Sequence, residues 1–258
     1  MNKMKTVILA GGRGTRLSEY TNLMPKPMVE IGGYPILWHI MKIYSAYGIN
    51  EFIIALGYKG EVIKDYFLNY QYRSSDITVN LEDGIVEVSN IQSPNWIIHL
   101  VDTGRETQTG GRLRRLADLL DDTFMMTYGD GVANINISEL IEFHKQHGKE
   151  ATLTAVTPPA RYGDIEVDPE TFLITKFREK VGSGLVNGGF YVLNPSVLDH
   201  IDGDSIQFEK YPLEFLSEIN QLMAYQHKGF WQCMDTVRDV EYLERLWQTE
   251  APWKVWEE

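Results

Sequence analysis

Cysteine is almost missing from this chain. The single Cys233 cannot close an internal disulfide, and without paired Cys or Cys/His spacing a structural zinc site has no raw material. A reducing cytoplasm fits that usage. Cations are scarce too: 24 Lys and Arg stand against 36 Asp and Glu, a formal charge of -12. Nucleic-acid binding draws its affinity from clustered cations, so this balance argues against it as the chain's main work. Long apolar runs do not occur. Met1–Thr6 leads into a short run of apolar or small residues, Val7 to Gly11, before Arg13 arrives, which is too short for a signal segment. No other stretch approaches the roughly 18 apolar residues of a membrane span, so no membrane partner is expected. Internal repeats, low-complexity tracts and obvious linkers are absent as well, which favours one compact unit over residues 1–258.

What the chain does have is material for a core. Of its 258 residues, 43% are hydrophobic and 12% aromatic, enough to bury about 70–75% of the unfolded surface. Val7-Ile8-Leu9-Ala10 is apolar on both faces, as a central parallel strand is, and stops at Gly11-Gly12. Ile36, Ile40, Ile43, Tyr44 and Tyr47 recur at helical spacing before Gly48, and Phe52 to Leu56 reads as a second buried strand, giving a βαβ unit. The alternation continues with helix over 59–70, strand over 96–101, helix over 112–120, strand over 124–128, helix over 137–147 and strand over 151–157. Strands then dominate, at 165–167, 173–177, 188–193 and 222–225. This order predicts an α/β fold: a three-layer α/β/α core around a mostly parallel mixed sheet, with additional antiparallel strands. His144 and His147 stand at helical spacing without the H-E-x-x-H pattern and are expected at the surface.

Leu9-Ala10-Gly11-Gly12-Arg13-Gly14-Thr15-Arg16-Leu17 lies where the first strand ends, the place at which open α/β sheets bind ligands. Its glycines let backbone N–H groups approach an anion or a base edge, and Arg13 and Arg16 bring guanidinium forks suited to phosphate. The segment is not G-x-G-x-x-G, since Leu17 stands three after Gly14, and no Walker A loop occurs. In Pro25-Lys26-Pro27, two φ-restricted prolines fix the stem of the lysine, although proline pairs also mark ordinary turns. Asp130 sits between glycines just past an apolar strand, and Asp235 follows an aromatic segment; taken alone, both fit turn aspartates as well as cation ligands. Residues 102–112 form a polar, glycine-bearing segment long enough to fold over a ligand. Trp247, Trp253 and Trp256 make the C-terminus aromatic, for packing on the same chain or contact with another subunit.

L-A-G-G-R-G-T-R-L (9–17) followed by P-K-P-M-V-E-I-G-G (25–33) resembles the two-part signature of the sugar-1-phosphate nucleotidylyltransferases. P-I-L-W-H-I-M-K (35–42), T-Y-G-D-G (127–131), N-G-G-F (187–190) and G-F-W-Q-C-M-D-T (229–236) look like the glucose-1-phosphate cytidylyltransferase branch, and the likeness spans essentially the whole chain. The resemblance implies a Rossmann-like core, Mg2+ as cofactor, and attack by the phosphate oxygen of α-D-glucose 1-phosphate on the α-phosphorus of CTP with expulsion of pyrophosphate. It implies Arg16 and Lys26 as catalytic residues and Asp130 and Asp235 as magnesium ligands. Leu9, Ala10, Gly11, Gly12, Arg13, Gly14, Thr15, Arg16, Lys26, Thr107, Gly111, Arg112 and Gly129 are implied to bind the nucleotide. Tyr162, Gly163, Glu179, Lys180, Asn187 and Gly188 are implied to bind the sugar phosphate. Residues 1–135 would then be mainly the nucleotide part, and 136–258 mainly the sugar-phosphate part with C-terminal oligomerisation elements. A homo-oligomer is expected, with a hexamer suggested by the family. After Glu179-Lys180 the chain departs from the family pattern, with Val181 in place of the usual proline and a shorter loop to Asn187. The alternatives are a uridylyl- or thymidylyltransferase, a cytidylyltransferase for another phosphorylated acceptor, and a non-catalytic sugar-nucleotide-binding protein.

Overall fold

The computed structural model describes residues 4–158, 164–178 and 184–257. Along the chain, β1 (Lys5–Leu9) is followed by the short helix α1 (Ser18–Thr21), a small ladder of β2 (Glu30–Ile31) and β3 (Tyr34–Pro35), helix α2 (Ile36–Ser45) and β4 (Glu51–Leu56). Helices α3 (Gly60–Leu68) and α4 (Tyr70–Ser74) lead into a hairpin of β5 (Asp76–Val79) and β6 (Val86–Ser89). Next come β7 (Ile97–Asp102), α5 (Thr109–Arg115), β8 (Phe124–Tyr128), β9 (Gly131–Ala133) and α6 (Ile137–His147). The remainder is β10 (Ala151–Val156), β11 (Asp164–Val167), β12 (Ile174–Arg178), β13 (Val186–Leu193), α7 (Tyr211–Glu218), β14 (Leu222–His227), β15 (Trp231–Cys233) and α8 (Val237–Trp247).

Seven strands form the main sheet in the order β14-β10-β13-β8-β1-β4-β7. β8, β1, β4 and β7 are mutually parallel, as are β10 and β14, whereas β13 runs antiparallel to both β8 and β10. Side chains alternate between the two faces. Ile8 of β1 enters one core and Val7 and Leu9 the other, while Phe52, Ile54 and Leu56 of β4 oppose Ile53 and Ala55. The first face is covered by α2, α3, α6 and α8 through residues such as Ile40, Ile63, Leu140 and Leu243. The second is covered by α5 and α7 through Leu113 and Leu216. Burial of each large apolar side chain contributes roughly 1.5–3 kcal/mol, so the parallel strands are held from both sides and their carboxyl ends make a firm base for loops. The expected three-layer core is therefore present, with its antiparallel character in the main sheet centred on β13.

Helices α7 and α8 form where the sequence reading has none, and two further local results differ from it. The β5–β6 hairpin occupies a stretch where no element is expected: Ile77, Val79, Val86 and Val88 alternate with polar residues, but each run is only four residues long and packs into neither core. His144 is buried rather than at the surface: its Nδ1 lies 2.9 Å from Thr152 Oγ1 and its Nε2 3.2 Å from Asn194 Oδ1. Polar partners on β10 and just after β13 make that burial affordable for an imidazole. His147 is half-buried on the same helix, 2.7 Å from Thr152 Oγ1.

Trp253 packs within its own chain. It is fully buried beside Trp247 and His39, and the His39 ring is itself buried. Nε2–H of His39 donates to Ile31 O at 2.9 Å, which leaves Nδ1 to accept from Trp253 Nε1 at 3.3 Å. A second ring proton would confront the indole N–H. Burial outweighs the backbone carbonyl bonds and lowers the His39 pKa to about 4, against 6.5 for the free group. The unfolded chain takes up this proton before the folded one does. The group's stabilising effect is therefore complete above pH 6.5 and is lost as pH falls towards 4. Between pH 7 and pH 5 the loss amounts to about 2 kcal/mol. Urea unfolding at those pH values should show the wild type losing about that much more than His39→Gln, whereas equal losses would remove His39 from the acid response.

Candidate active site

The carboxyl ends of β1 and β8 open on a cleft of about 360 Å³, lined on one side by Leu9 to Gly14 and Arg16 and on the other by Arg105 to Thr109. Lys26, Arg112, Tyr128, Gly129 and Asp130 complete its walls. The glycines serve different purposes. Gly14 has φ 60°, in the left-handed region that favours glycine, and a Cβ on Gly129 would come within 2.8 Å of Pro27 Cγ. At Gly12, by contrast, a Cβ would meet nothing within 4 Å. Packing does not require glycine there, so the bare backbone leaves room for something lying across the turn.

Arg112 lies under this turn with its donors engaged. Its Nη1 donates to Leu56 O at 2.9 Å, Thr103 Oγ1 at 2.8 Å and Gly104 O at 2.7 Å, and Nη2 donates to Gly11 O at 3.1 Å. A Cβ on Gly11 would sit 2.2 Å from Arg112 Cζ, so Gly11 is glycine because the guanidinium occupies that space. Arg112 thus fastens the first turn to the segment 103–105. Burial lowers its pKa from the ordinary value, with Asp102 acting in the opposite sense. Arg13 reaches across the cleft to Glu106, while Thr107 lines the wall. Thr15 is exposed beside the lining, and Gly111 packs on the backbone of Asp204.

Asp130 and Asp235 stand 105 positions apart and meet through a short two-stranded ladder. β9 pairs antiparallel with β15, Cys233 opposite Gly131, and Met234 N–H donates to Asp130 O at 2.8 Å. Asp235 is then held by the start of α8, where Asp239 Oδ2 accepts from the N–H groups of Asp235 (3.1 Å) and Thr236 (2.9 Å) in a capping box. Between the two carboxylates lies Lys26: Nζ is 2.7 Å from Asp130 Oδ2 and 2.6 Å from Asp235 Oδ1. Arg16 Nη1 pairs with Asp235 Oδ2 at 2.8 Å.

Burial alone would push the Lys26 pKa down, yet Asp130 and Asp235 outweigh it and hold it above the ordinary lysine value. Burial would likewise raise Asp235, but Lys26 and then Arg16 keep its carboxyl below the usual range. Cys233 is pushed up by burial and by Asp130, so its thiol stays protonated. Ligand atoms of Asp130, Cys233 and Asp235 lie within 4.8 Å of one another. The two carboxylate oxygens suit a hard, partly hydrated divalent cation, which needs only one or two such ligands beside substrate phosphates. A neutral thiol adds little for such an ion.

Of the residues expected to bind the sugar phosphate, Asn187 and Gly188 lie on β13, and Gly188 O accepts from Trp231 Nε1 at 2.8 Å. Tyr162, Gly163, Glu179 and Lys180 lie outside the described residues. Tyr128, Thr109 and Asp239 enter the site or its support without having been singled out from sequence. Asp239 carried a readable signal, the T-x-x-D spacing of a helix start at Thr236.

Residues 5–253 match the family described as nucleotidyl transferase. Over 98% of its length the chain is 54% identical to all of a glucose-1-phosphate cytidylyltransferase of Salmonella typhi. It is 46% identical, over 98% of its length, to all of a probable glucose-1-phosphate cytidylyltransferase of Bacillus subtilis (strain 168). Among solved structures, HddC from Yersinia pseudotuberculosis superposes with a TM-score of 0.69 at 24% identity, covering 95% of this chain and 99% of that one. A UDP-glucose pyrophosphorylase complexed with UDP-glucose gives 0.68 at 17% identity, covering 96% and 99%; these two likenesses speak for the Rossmann-like fold alone. By family match and by full-length identity, the chain belongs to the nucleotidyl transferase family.

Proposed function

We propose that this protein transfers the cytidylyl group of CTP to α-D-glucose 1-phosphate, with Mg2+, to give CDP-glucose and pyrophosphate. The observation that carries the reading is Lys26 held between Asp130 and Asp235 beside the glycine turn. Its counterpart in sequence is the 54% identity to an enzyme of that name. A protein that only bound sugar nucleotides would have no need of this cluster of charge.

In the reaction a phosphate oxygen of the sugar phosphate bonds to the α-phosphorus of CTP. The bond from that phosphorus to the bridging oxygen breaks, and pyrophosphate leaves with the electron pair. Both partners are anionic, so catalysis rests on placement and on countering charge as it develops. The turn at Gly11-Gly12 offers bare backbone to the phosphates, and Lys26 and Arg16 supply cations against charge growing on the leaving group. Asp130 and Asp235 would hold Mg2+, which when bound screens the two anions from each other and stabilises the transition-state charge. The segment from Arg105 to Thr109 faces the nucleotide. There, a backbone carbonyl that accepts from the cytosine N4 amino group would reject uracil by leaving polar groups unpaired. The β13 side, with Asn187, faces the hexose.

Pyrophosphate release measured across four nucleoside triphosphates and the glucose, galactose and mannose 1-phosphates should place CTP with glucose 1-phosphate first by at least about tenfold in kcat/KM. Chelation of the cation should abolish it, and Asp130→Ala or Asp235→Ala should lower turnover by at least about 10²-fold in folded protein. A different best pair would overturn the substrate assignment, and unimpaired aspartate variants would overturn the metal role.

We further assign the protein to the cytoplasm as a homo-oligomer. No helix among the described residues is long and apolar enough to cross a membrane. The β5–β6 hairpin exposes Ile77, Val79, Leu81 and Ile85, and a two-stranded hairpin is marginal in water by itself, which makes it the surface for contact between copies. Light scattering should return a multiple of the 29.6 kDa chain, and Leu81→Asp with Ile85→Asp should reduce it. A wild-type monomer would remove the oligomer, and an unreduced variant would remove the hairpin from its interface.

A further inference from the structure

A continuous chain of hydrogen bonds links the nucleotide wall of the cleft to the sugar side, and it passes through a residue with no role so far. Glu209 lies just before α7. Its Oε2 accepts from Thr109 Oγ1 at 2.6 Å and its Oε1 from Tyr128 OH at 2.7 Å. Tyr128 OH is 3.0 Å from Tyr191 OH, and Asn187 Nδ2 is hydrogen-bonded to Tyr191 OH.

The direction of each proton follows. Gly189 N–H donates to Asn187 Oδ1 at 2.9 Å, which fixes the amide so that Nδ2 is the group facing Tyr191. A carboxylate only accepts, so the Tyr128 hydroxyl proton points to Glu209 and Tyr128 oxygen is left to accept from Tyr191. Tyr191 oxygen then accepts from Asn187. From the other end, the Thr109 proton also points to Glu209, while Phe208 N–H donates to Thr109 Oγ1 at 2.9 Å. Every donor runs towards one carboxylate. That charge sets the sense of the whole chain, as charge-assisted bonds in a low-dielectric interior do. The backbone supports the same link, since Gln108 N–H donates to Asp204 O at 2.8 Å and Gly110 N–H to Ile206 O at 3.0 Å. The segment that carries Glu209 towards the cleft is thereby sewn to the nucleotide wall.

We propose that Glu209 is a positioning residue that holds Thr109 and Asn187, and with them the nucleotide and sugar subsites, at a fixed separation for in-line attack. The assignment of the two subsites rests on the proposed function. Small misplacements between reacting groups are costly, so a strut spanning them has a mechanical purpose that burial of a glutamate lacks. Glu209→Gln preserves shape but removes the charge to which both donors point and turns an N–H towards one of them, so one arm loses its acceptor and the other its charge-assisted bond. Tyr128→Phe releases only the arm to Asn187. Thr109→Val releases only the nucleotide arm, and Thr109→Ser keeps the hydroxyl.

Two measurements on the full-length protein decide the matter. Steady-state kinetics, with whichever substrate pair releases pyrophosphate fastest, should show Glu209→Gln raising KM for both substrates by about fivefold or more. Tyr128→Phe should raise mainly the sugar-phosphate KM and Thr109→Val mainly the nucleotide KM, and Thr109→Ser should recover most of the loss seen in Thr109→Val. Hydrogen–deuterium exchange without ligands should show Glu209→Gln loosening peptides over 105–111 and 186–191 together, and Tyr128→Phe loosening 186–191 alone. Unchanged KM values with only lowered thermal stability, or exchange confined to 105–111 in Glu209→Gln, would overturn the strut. A best pair other than CTP and glucose 1-phosphate would overturn the substrate reading while leaving the split to be read on that pair. With no active pair at all, exchange alone decides.

Discussion

Everything at the cleft depends on one ammonium group near the start of the chain lying between two carboxylates delivered from its middle and from near its end. Lys26 is fixed by its prolines at the start of the chain's first third, and Asp235 arrives near the end. Their side chains are mostly buried, with exposures of 10% for Lys26 and 15% for Asp235, so water does little to screen them. A cluster of this kind is poor value as a stabilising device, because a well-packed apolar replacement of a buried ion pair is often neutral or better. Its presence beside bare glycine backbone therefore points to chemistry with anions.

The fold meets the demand by dividing labour. Parallel β1 and β8, packed on both faces, place the glycine turn and Asp130 at one edge, while the β9–β15 ladder and the capping box at Thr236 and Asp239 carry Asp235 to the same point. Arg112 locks the turn from beneath by binding carbonyls on three separate segments. The antiparallel β13 pairs with β8 from Phe190 to Leu193 and so carries Asn187 to the same end of the sheet. Glu209 spans the same divide by side-chain hydrogen bonds.

What was legible in sequence is what is local. The strand at Val7 to Leu9, the helix over 137–147, the glycine turn and the proline-held lysine each carry their signal within a dozen residues or so, and each stands where the pattern puts it. α8 carries an equally local signal, since Thr236 and Asp239 precede Val240, Leu243 and Leu246 at helical spacing. The meeting of Asp130 with Asp235 is different, for nothing in either segment names the other and only the resemblance joined them. Arg112 has a part that no local pattern announces, since its donors bind carbonyls of the same chain and so brace the glycine turn. His144 shows it again, because an imidazole with hydroxyl and amide partners is as much at home inside as outside. Glu209 had no motif at all, and its partners lie 81 and 100 positions away.

The central claim is that Lys26, Asp130 and Asp235 act as one electrostatic unit. A double-mutant cycle on stability, run by urea unfolding at pH 7 and low salt with Lys26→Met, Asp130→Asn and the pair together, tests it without substrate or metal. Lys26→Met strands two carboxylates with only Arg16 to answer them, so it should be clearly destabilising, and adding Asp130→Asn should recover part of the loss. The account predicts a coupling energy of about 1–3 kcal/mol. Strictly additive effects would show that the lysine and the aspartates are neighbours without being a unit, and would contradict it.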